Sequence, residues 1–209
     1  MVGIDLETVW KQLAGFYPQY MEDGCNGTVV VLEGGNELQD RRKTKTFLRK
    51  LAKSFAIDIQ ALREKYRRPA GRRTFVPLPF HAGLVLVPFK VRRVLSKDQG
   101  ATGYAVLDKI ECWAPGEETP SKLILSGGGS FPCMERHTTV ERKILEGRAV
   151  AEEFRQFHLG DLPGIPGVTR QIPMARNTRV MYHVHYSAGD YPGGGRMDSI
   201  LKRGFTSQE

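Results

Sequence analysis

The chain has 209 residues, of which 40% are hydrophobic and 26% charged, and its 31 lysines and arginines outnumber its 23 acids, for a formal net charge of +8. This composition is close to that of ordinary globular proteins and excludes collagen, coiled coil and wholesale disorder. No apolar run reaches the roughly 20 residues that span a bilayer. Three scattered cysteines without CxxC spacing and the lack of a secretory signal predict a cytoplasmic protein with no cofactor and no membrane partner.

An amphipathic helix is predicted at the N-terminus. Asp5 can accept hydrogen bonds from the first backbone N–H groups of a helix over 6–17. Apolar residues recur there at helical spacing, and this stripe consists of Leu6, Val9, Trp10, Leu13 and Phe16. Residues 1–20 are therefore predicted to form an N-terminal helix that precedes a main domain over 21–160.

A β-hairpin is predicted to follow. The run 28–33 is β-branched and apolar, and residues 36–39 supply a second short strand. Gly34 and Gly35 lie between the two runs, where glycine can adopt the positive φ of a tight turn.

The basic segment, residues 41–73, has the most concentrated charge in the chain. It holds thirteen of the lysines and arginines but only two acids, Asp58 and Glu64, whereas the rest of the chain is slightly acidic. Like charges packed so closely cost stability unless a polyanion offsets them. A nucleic acid can do so by releasing its condensed counterions. The alternatives are a solvated helical face, an anionic membrane or an acidic protein partner.

Two helices are predicted within the basic segment. Helical spacing indicates the first over 44–55 and the second over 59–67, with Asp58 as the N-cap of the second. The first helix has one apolar face, and three cations follow one another at intervals of four residues on another face: Lys45, Arg49 and Lys53.

Strands dominate the next part of the chain. They are predicted over 74–78, 84–93, 104–113, 122–126 and 130–134, and the prolines among them indicate edge strands or strand ends. A long helix then follows to about His158, and Thr138 and Glu141 form a capping box at its predicted start. Residues 161–209 are rich in proline and glycine and are predicted to form a C-terminal extension with one strand over 179–186.

A hairpin followed by a helix occurs twice, at an offset of 93 residues. The run Val30–Gly35 aligns with Leu123–Gly128, and each is followed by a short strand and a helix. Either this similarity is due to chance or the chain has two similar β-β-α lobes. The predicted fold is thus α+β, with antiparallel hairpins or a sheet and flanking helices.

The sequence contains no recognisable catalytic motif. The run Gly127–Gly129 lacks the pattern of a phosphate-binding loop and leads into a strand. His183 and His185 share one face of a predicted strand, but the sequence places no third metal ligand beside them. We therefore predict a binding protein rather than an enzyme.

Two modes of DNA binding fit the basic segment. In the first, residues 46–67 form a helix-turn-helix, with Ala52 at the helix crossing and the second helix in the major groove. That helix would present Gln60, Arg63, Lys65 and Arg67. In the second mode, arginines on loops and hairpin edges enter a narrow, A·T-rich minor groove.

Residues 103–157 resemble the C-terminal half of the ComK family, the competence transcription factors of Gram-positive bacteria. The resemblance rests on the order of elements: the strand from Gly103 to Trp113, an acidic loop, the run Lys122–Gly128, then Phe131-Pro132 and the helix from Thr139 to Arg155. Upstream, Val30–Leu32, Leu38–Arg41 and Phe75–Pro77 occur in the family's order. The resemblance implies a sequence-specific DNA-binding protein that prefers A·T-rich boxes and acts as an oligomer in the cytoplasm.

The predicted function is therefore that of a DNA-binding transcription regulator, with double-stranded DNA and further copies of the chain as partners. The alternatives are a protein-interaction module with a basic face and an RNA-binding protein. Most of the predicted contacts are to phosphates and a few to a groove, and the residues are Arg41, Arg42, Lys45, Arg49, Lys53, Arg67, Arg68, Arg72, Arg73, Arg92, Arg93, Arg136 and Arg142.

Overall fold

A six-stranded antiparallel sheet lies at the centre of the part of the chain that the structure describes. The computed structural model describes residues 4–71, 74–93, 100–116 and 121–159. The strands of the large sheet are β1 (Leu13–Tyr20), β2 (Asn26–Leu32), β3 (Glu37–Asp40), β4 (Leu78–His81), β5 (Leu84–Lys90) and β6 (Thr102–Val106), in the order β3-β2-β1-β6-β5-β4. A second antiparallel sheet has three strands, β7 (Ile110–Ala114), β8 (Lys122–Leu125) and β9 (Gly129–Pro132).

Helices and the smaller sheet cover both faces of the large sheet. The helices of the described ranges are α1 (Leu6–Val9), α2 (Thr44–Ser54), α3 (Ile59–Tyr66) and α4 (His137–Leu159). α1 and α2 pack on one face, and the smaller sheet and α4 pack on the other. α3 begins on the first face and packs its end against α4. The protein is therefore an α+β fold with antiparallel sheets and flanking helices, as predicted.

The sequence of β2 shows why the large sheet needs two covering layers. Val29, Val30 and Val31 are all buried, although neighbouring side chains of a strand point to opposite faces. Val29 and Val31 belong to the core beneath the smaller sheet and α4, whereas Val30 belongs to the core beneath α1 and α2. A continuous apolar run is typical of a strand that is buried on both sides.

The predicted N-terminal helix over 6–17 is wrong beyond its first turns. Asp5 does cap α1, because its carboxylate accepts a hydrogen bond from the backbone N–H of Glu7 at 3.1 Å. However, α1 ends at Val9, a 3-10 turn follows over Trp10–Gln12, and the chain then enters β1. Residues 13–20 therefore form a central strand of the large sheet rather than part of a separate segment.

Pairing with a neighbouring strand on each side explains why residues 13–20 form a strand. β1 pairs with β2 along its length and with β6 at Gly15 and Phe16. Its apolar side chains are thereby buried in both cores, with Ala14 on one face and Phe16 on the other. Pro18 lies beyond the residues that pair with β6, so its missing N–H breaks no bond to that strand.

Three other predicted boundaries also move. The strand predicted over 74–78 begins only at Leu78, in β4. The strand predicted over 104–113 is two strands, β6 and β7, which a 3-10 turn over Leu107–Lys109 separates and which belong to different sheets. α4 begins at His137, so Thr138 lies inside the helix, and the carbonyl of Arg136 accepts the hydrogen bond from Val140 N at 3.1 Å.

Both predicted β-β-α units form, one from β2, β3 and α2 and the other from β8, β9 and α4. They lie in different sheets, but their glycine turns pack directly against each other. A Cβ atom on Gly127 would lie 2.5 Å from the backbone nitrogen of Gly34 and 2.8 Å from its Cα. Glycine is thus required where the two hairpins meet.

The described residues all belong to a unit that runs from Met1 to Thr169. The C-terminal extension predicted over 161–209, with its strand, His183 and His185, lies outside the described residues. Within the ranges that the structure describes, no helix has the length and apolar character needed to cross a membrane.

Candidate nucleic-acid interface

An open groove with a volume of about 1030 Å³ lies beside α2 and the first turn of α3. Five cationic side chains line this surface, which we call the basic groove: Lys43, Lys45, Arg49, Lys53 and Arg63. Among the described residues that line it, Asp58 is the one carboxylate. The remaining lining includes the hydrogen-bonding side chains of Gln60, Thr102 and Tyr104. The groove is therefore strongly positive and suited to an anionic ligand.

The row of cations on α2 follows from the pattern of this helix. Its buried side chains pack on the large sheet, and they are Phe47, Leu48, Leu51 and Ala52. Lys45, Arg49 and Lys53 lie one turn apart and are exposed. None of the three forms an ion pair or a side-chain hydrogen bond with the described residues. Because like charges one turn apart cost about 0.2–0.5 kcal/mol per pair, the row destabilises the free protein slightly.

The single carboxylate of the groove has a structural task. Asp58 is the N-cap of α3, and its Oδ1 accepts hydrogen bonds from the backbone N–H groups of Gln60 at 2.7 Å and Ala61 at 3.3 Å. This confirms the predicted cap. Since the carboxylate is bonded to its own helix, it offsets only part of the positive charge of the groove.

Tyr104 of β6 is a buried aromatic residue that lines the groove. Its ring stacks on Phe16, with the centroids 5.3 Å apart. Burial raises the pKa of Tyr104, while the nearby positive charge of Arg63 acts in the opposite direction. Tyr104 therefore stays a neutral phenol close to the Arg63 side chain.

A left-handed residue and a backbone hydrogen bond shape the turn between α2 and α3. Ala56 has a φ of 54°, and the backbone N–H of Ile57 donates to the carbonyl of Ala52 at 2.9 Å. Ala52 is buried, and Leu62 of α3 packs against the apolar cores, as predicted. The two helices predicted within the basic segment are therefore confirmed, while the helix-turn-helix over 46–67 and its role in reading DNA stay predictions.

Comparisons with known proteins do not assign the chain to a family. No family model matches it, and no curated protein or solved structure matches it significantly. The resemblance to the ComK family thus stays a prediction, and the functional proposal rests on the basic groove.

Three of the predicted contact residues come together in the groove: Lys45, Arg49 and Lys53. Arg63 joins them, although the sequence indicated it only as part of the helix-turn-helix alternative. Lys43 also lines the groove and was not predicted as a contact. Its position directly before the first helix of the basic segment was the available signal, because a residue at a helix start lies close to the side chains one turn later.

Arg42, another predicted contact, is half-buried and bound within the protein. Its guanidinium donates to both carboxylate oxygens of the buried Asp40 and to the backbone carbonyl of Ile4. Burial alone would raise the pKa of Asp40, but the hydrogen bonds and the charge of Arg42 outweigh burial and lower the pKa. Arg41 is more exposed and lies 3.3 Å from a carboxylate oxygen of Asp23.

The other predicted contacts do not join the groove. Arg92 donates to the carbonyl of Gly100 at 2.9 Å and to the side chain of Asn26 at 2.8 Å, and thereby supports two residues that line it. Arg67 is paired with Glu64, Arg142 with Glu146, and Arg68, Arg93 and Arg136 are exposed elsewhere. Arg72 and Arg73 lie outside the described residues. Within the described ranges, no three His, Cys, Asp or Glu side chains are placed to hold a metal ion.

Proposed function

We propose that the protein is a DNA-binding transcription regulator that holds double-stranded DNA in the basic groove. The observation that carries this proposal is the row of Lys45, Arg49 and Lys53, which has no partner among the described residues and lines the same groove as Lys43 and Arg63. Phosphates spaced along a DNA strand can engage such a row and release their counterions. Binding would also relieve the repulsion within the row.

The arrangement favours the helix-turn-helix mode over insertion of loop arginines into the minor groove. Arg42 and Arg92, two of the arginines expected to enter a narrow groove, are held by hydrogen bonds within the protein. The cations of α2 have no such partners among the described residues. The α2 row can therefore contact DNA without breaking a hydrogen bond to the described residues.

The proposal also fixes the expected partners. We place the protein in the cytoplasm, as a homo-oligomer on A·T-rich duplex DNA, with a binding role rather than a catalytic one. RNA and an acidic protein are the competing ligands of a basic groove, and the binding measurements below distinguish them.

The test is the salt dependence of duplex binding, measured by fluorescence anisotropy with labelled A·T-rich and G·C-rich duplexes. The triple variant Lys45→Gln/Arg49→Gln/Lys53→Gln should bind more weakly, because it loses phosphate contacts. Each lost contact should also reduce the magnitude of the slope of log K against log salt by about 0.9. We expect the magnitude of the slope to fall by about 2.7 for the three contacts. Glutamine is chosen because it keeps the helix propensity of α2 close to that of lysine and arginine.

A charge-matched control lies on the layer opposite α2. Lys122→Gln/Arg148→Gln/Arg155→Gln removes three exposed cations from β8 and α4 and should leave the slope unchanged. An equal loss in both triple variants would show that only net charge matters and would refute the groove as the docking site. If the protein binds RNA more tightly than duplex DNA, RNA is the ligand of the groove. If it binds only an acidic protein, that protein is the ligand instead of DNA.

A further inference from the structure

Gln60 differs in chemistry from the cations around it in the basic groove. It is exposed on the first turn of α3, and its side-chain amide makes no hydrogen bond to the described residues. Lysines and arginines that bind phosphates carry no sequence information. An amide offers one donor and one acceptor in a fixed geometry, which matches the N6 amino group and N7 of adenine in the major groove.

Beyond Arg63, the charged side chains at the end of α3 are engaged within the protein. Glu64 and Arg67 form an ion pair at 2.8 Å. The ammonium group of Lys65 lies 2.9 Å from the centre of the Phe157 ring on α4. The part of α3 that can present polar side chains to a ligand without breaking a contact of the described residues is therefore its beginning, with Gln60 in the first turn and Arg63 after it. This agrees with recognition helices, which contact base edges through their N-terminal residues.

The groove also places Gln60 on the same surface as the α2 row. Gln60 and the cations of α2 line one continuous surface, with the turn at Ala56 between the two helices. A DNA strand held by Lys45, Arg49 and Lys53 would run beside the first turn of α3. Arg63, which also lines the groove, lies one turn further along α3 and can hold the neighbouring phosphate.

We infer that Gln60 determines the sequence preference of the protein by paired hydrogen bonds to an adenine in the major groove. This inference rests on the proposed function. In this arrangement the α2 row provides most of the binding affinity, and a single uncharged side chain provides the preference among DNA sequences. Because Gln60→Ala removes no charge, it should change the preference among sequences while the salt slope stays the same.

The test combines a protein change with a base change. Duplexes are first selected from a random pool by the unaltered protein, and each adenine of the selected site is then replaced in turn by 7-deazaadenine, which lacks the N7 acceptor. At one position the replacement should weaken binding by about two- to tenfold, the effect of one hydrogen bond. Gln60→Ala should weaken binding by at least about fivefold, and it should abolish the effect of the base replacement.

Gln156→Ala is the matched control, because Gln156 is also an exposed glutamine of a helix but lies on α4. It should retain the full response to 7-deazaadenine. If Gln60→Ala responds to the base replacement as strongly as the unaltered protein, Gln60 does not read adenine. Loss of binding on 2,6-diaminopurine, which alters the minor groove, without any response to 7-deazaadenine would likewise overturn the inference and leave the proposed function standing. If no duplex binds the unaltered protein, the proposed function itself fails.

Discussion

The contact between the two glycine turns gives a sharp test of how the sheets pack. Gly127 has a φ of 78°, and a Cβ atom there would lie 2.5 Å from Gly34 N, a backbone atom that cannot move without shifting the β2–β3 hairpin. Gly127→Ala therefore adds a steric clash, worth about 1–3 kcal/mol, to the strain of a left-handed alanine, worth about 1–2 kcal/mol. We expect it to lower the free energy of unfolding by about 2–5 kcal/mol.

Gly128→Ala supplies the control in the same turn. Gly128 has a φ of 86°, but a Cβ atom there would meet no atom within 4 Å, so only the backbone strain applies. With a urea slope of about 2 kcal/mol per M, the unfolding midpoints of the two variants should differ by about 0.5–1.5 M. Equal midpoints would mean that the hairpins do not touch in solution, and the packing of the smaller sheet on the larger one would be wrong.

Three further predictions concern the pH dependence, the thiols and the backbone. Because the pKa of Asp40 is lowered in the folded state, its bond to Arg42 stabilises the fold above the unfolded pKa of about 3.9. This stabilisation is lost as the pH falls through the folded pKa. Below about pH 4, the urea midpoint of Asp40→Asn should therefore fall less steeply than that of the unaltered protein. Burial raises the pKa of Cys133 to about 11, so a thiol reagent at about pH 8 should label the exposed Cys25 in the native state and Cys133 only after unfolding; rapid native labelling of Cys133 would contradict its burial. Ala56→Gly should stabilise the protein by about 0.5–1 kcal/mol in urea, because glycine tolerates a φ of 54°, and a loss of stability would refute the turn geometry.

Elements whose signals are local could be predicted from the sequence. The bounds of α2, the cap of α3 by Asp58 and the hairpin turn at Gly34 depend on residues within a few positions of one another. The shared face of Lys45, Arg49 and Lys53 follows from helical spacing alone, and the structure places them together in the groove.

Elements whose partners are distant in the chain could not be predicted in the same way. Residues 13–20 have apolar spacing that suits a helix, but pairing with β2 on one side and β6 on the other makes them a strand. The single strand expected over 104–113 changes sheet at Leu107, which is buried beneath α4. Tertiary pairing overrides local preference in both places, and one sequence does not reveal which strands will meet.

The candidate site shows the same division between local and distant contacts. Arg42 belongs to the basic segment by sequence, yet its guanidinium donates hydrogen bonds to the carboxylate of Asp40, two residues earlier. That signal was available, since residues two positions apart in an extended chain point to the same side. Arg63 reaches the groove because the turn at Ala56 brings the start of α3 to the same surface as α2. Among the described cations of the basic segment, Arg42 thus holds the fold together, whereas Lys43, Lys45, Arg49, Lys53 and Arg63 line the groove. The mutual repulsion of these five groove cations is what a polyanion in the groove would relieve.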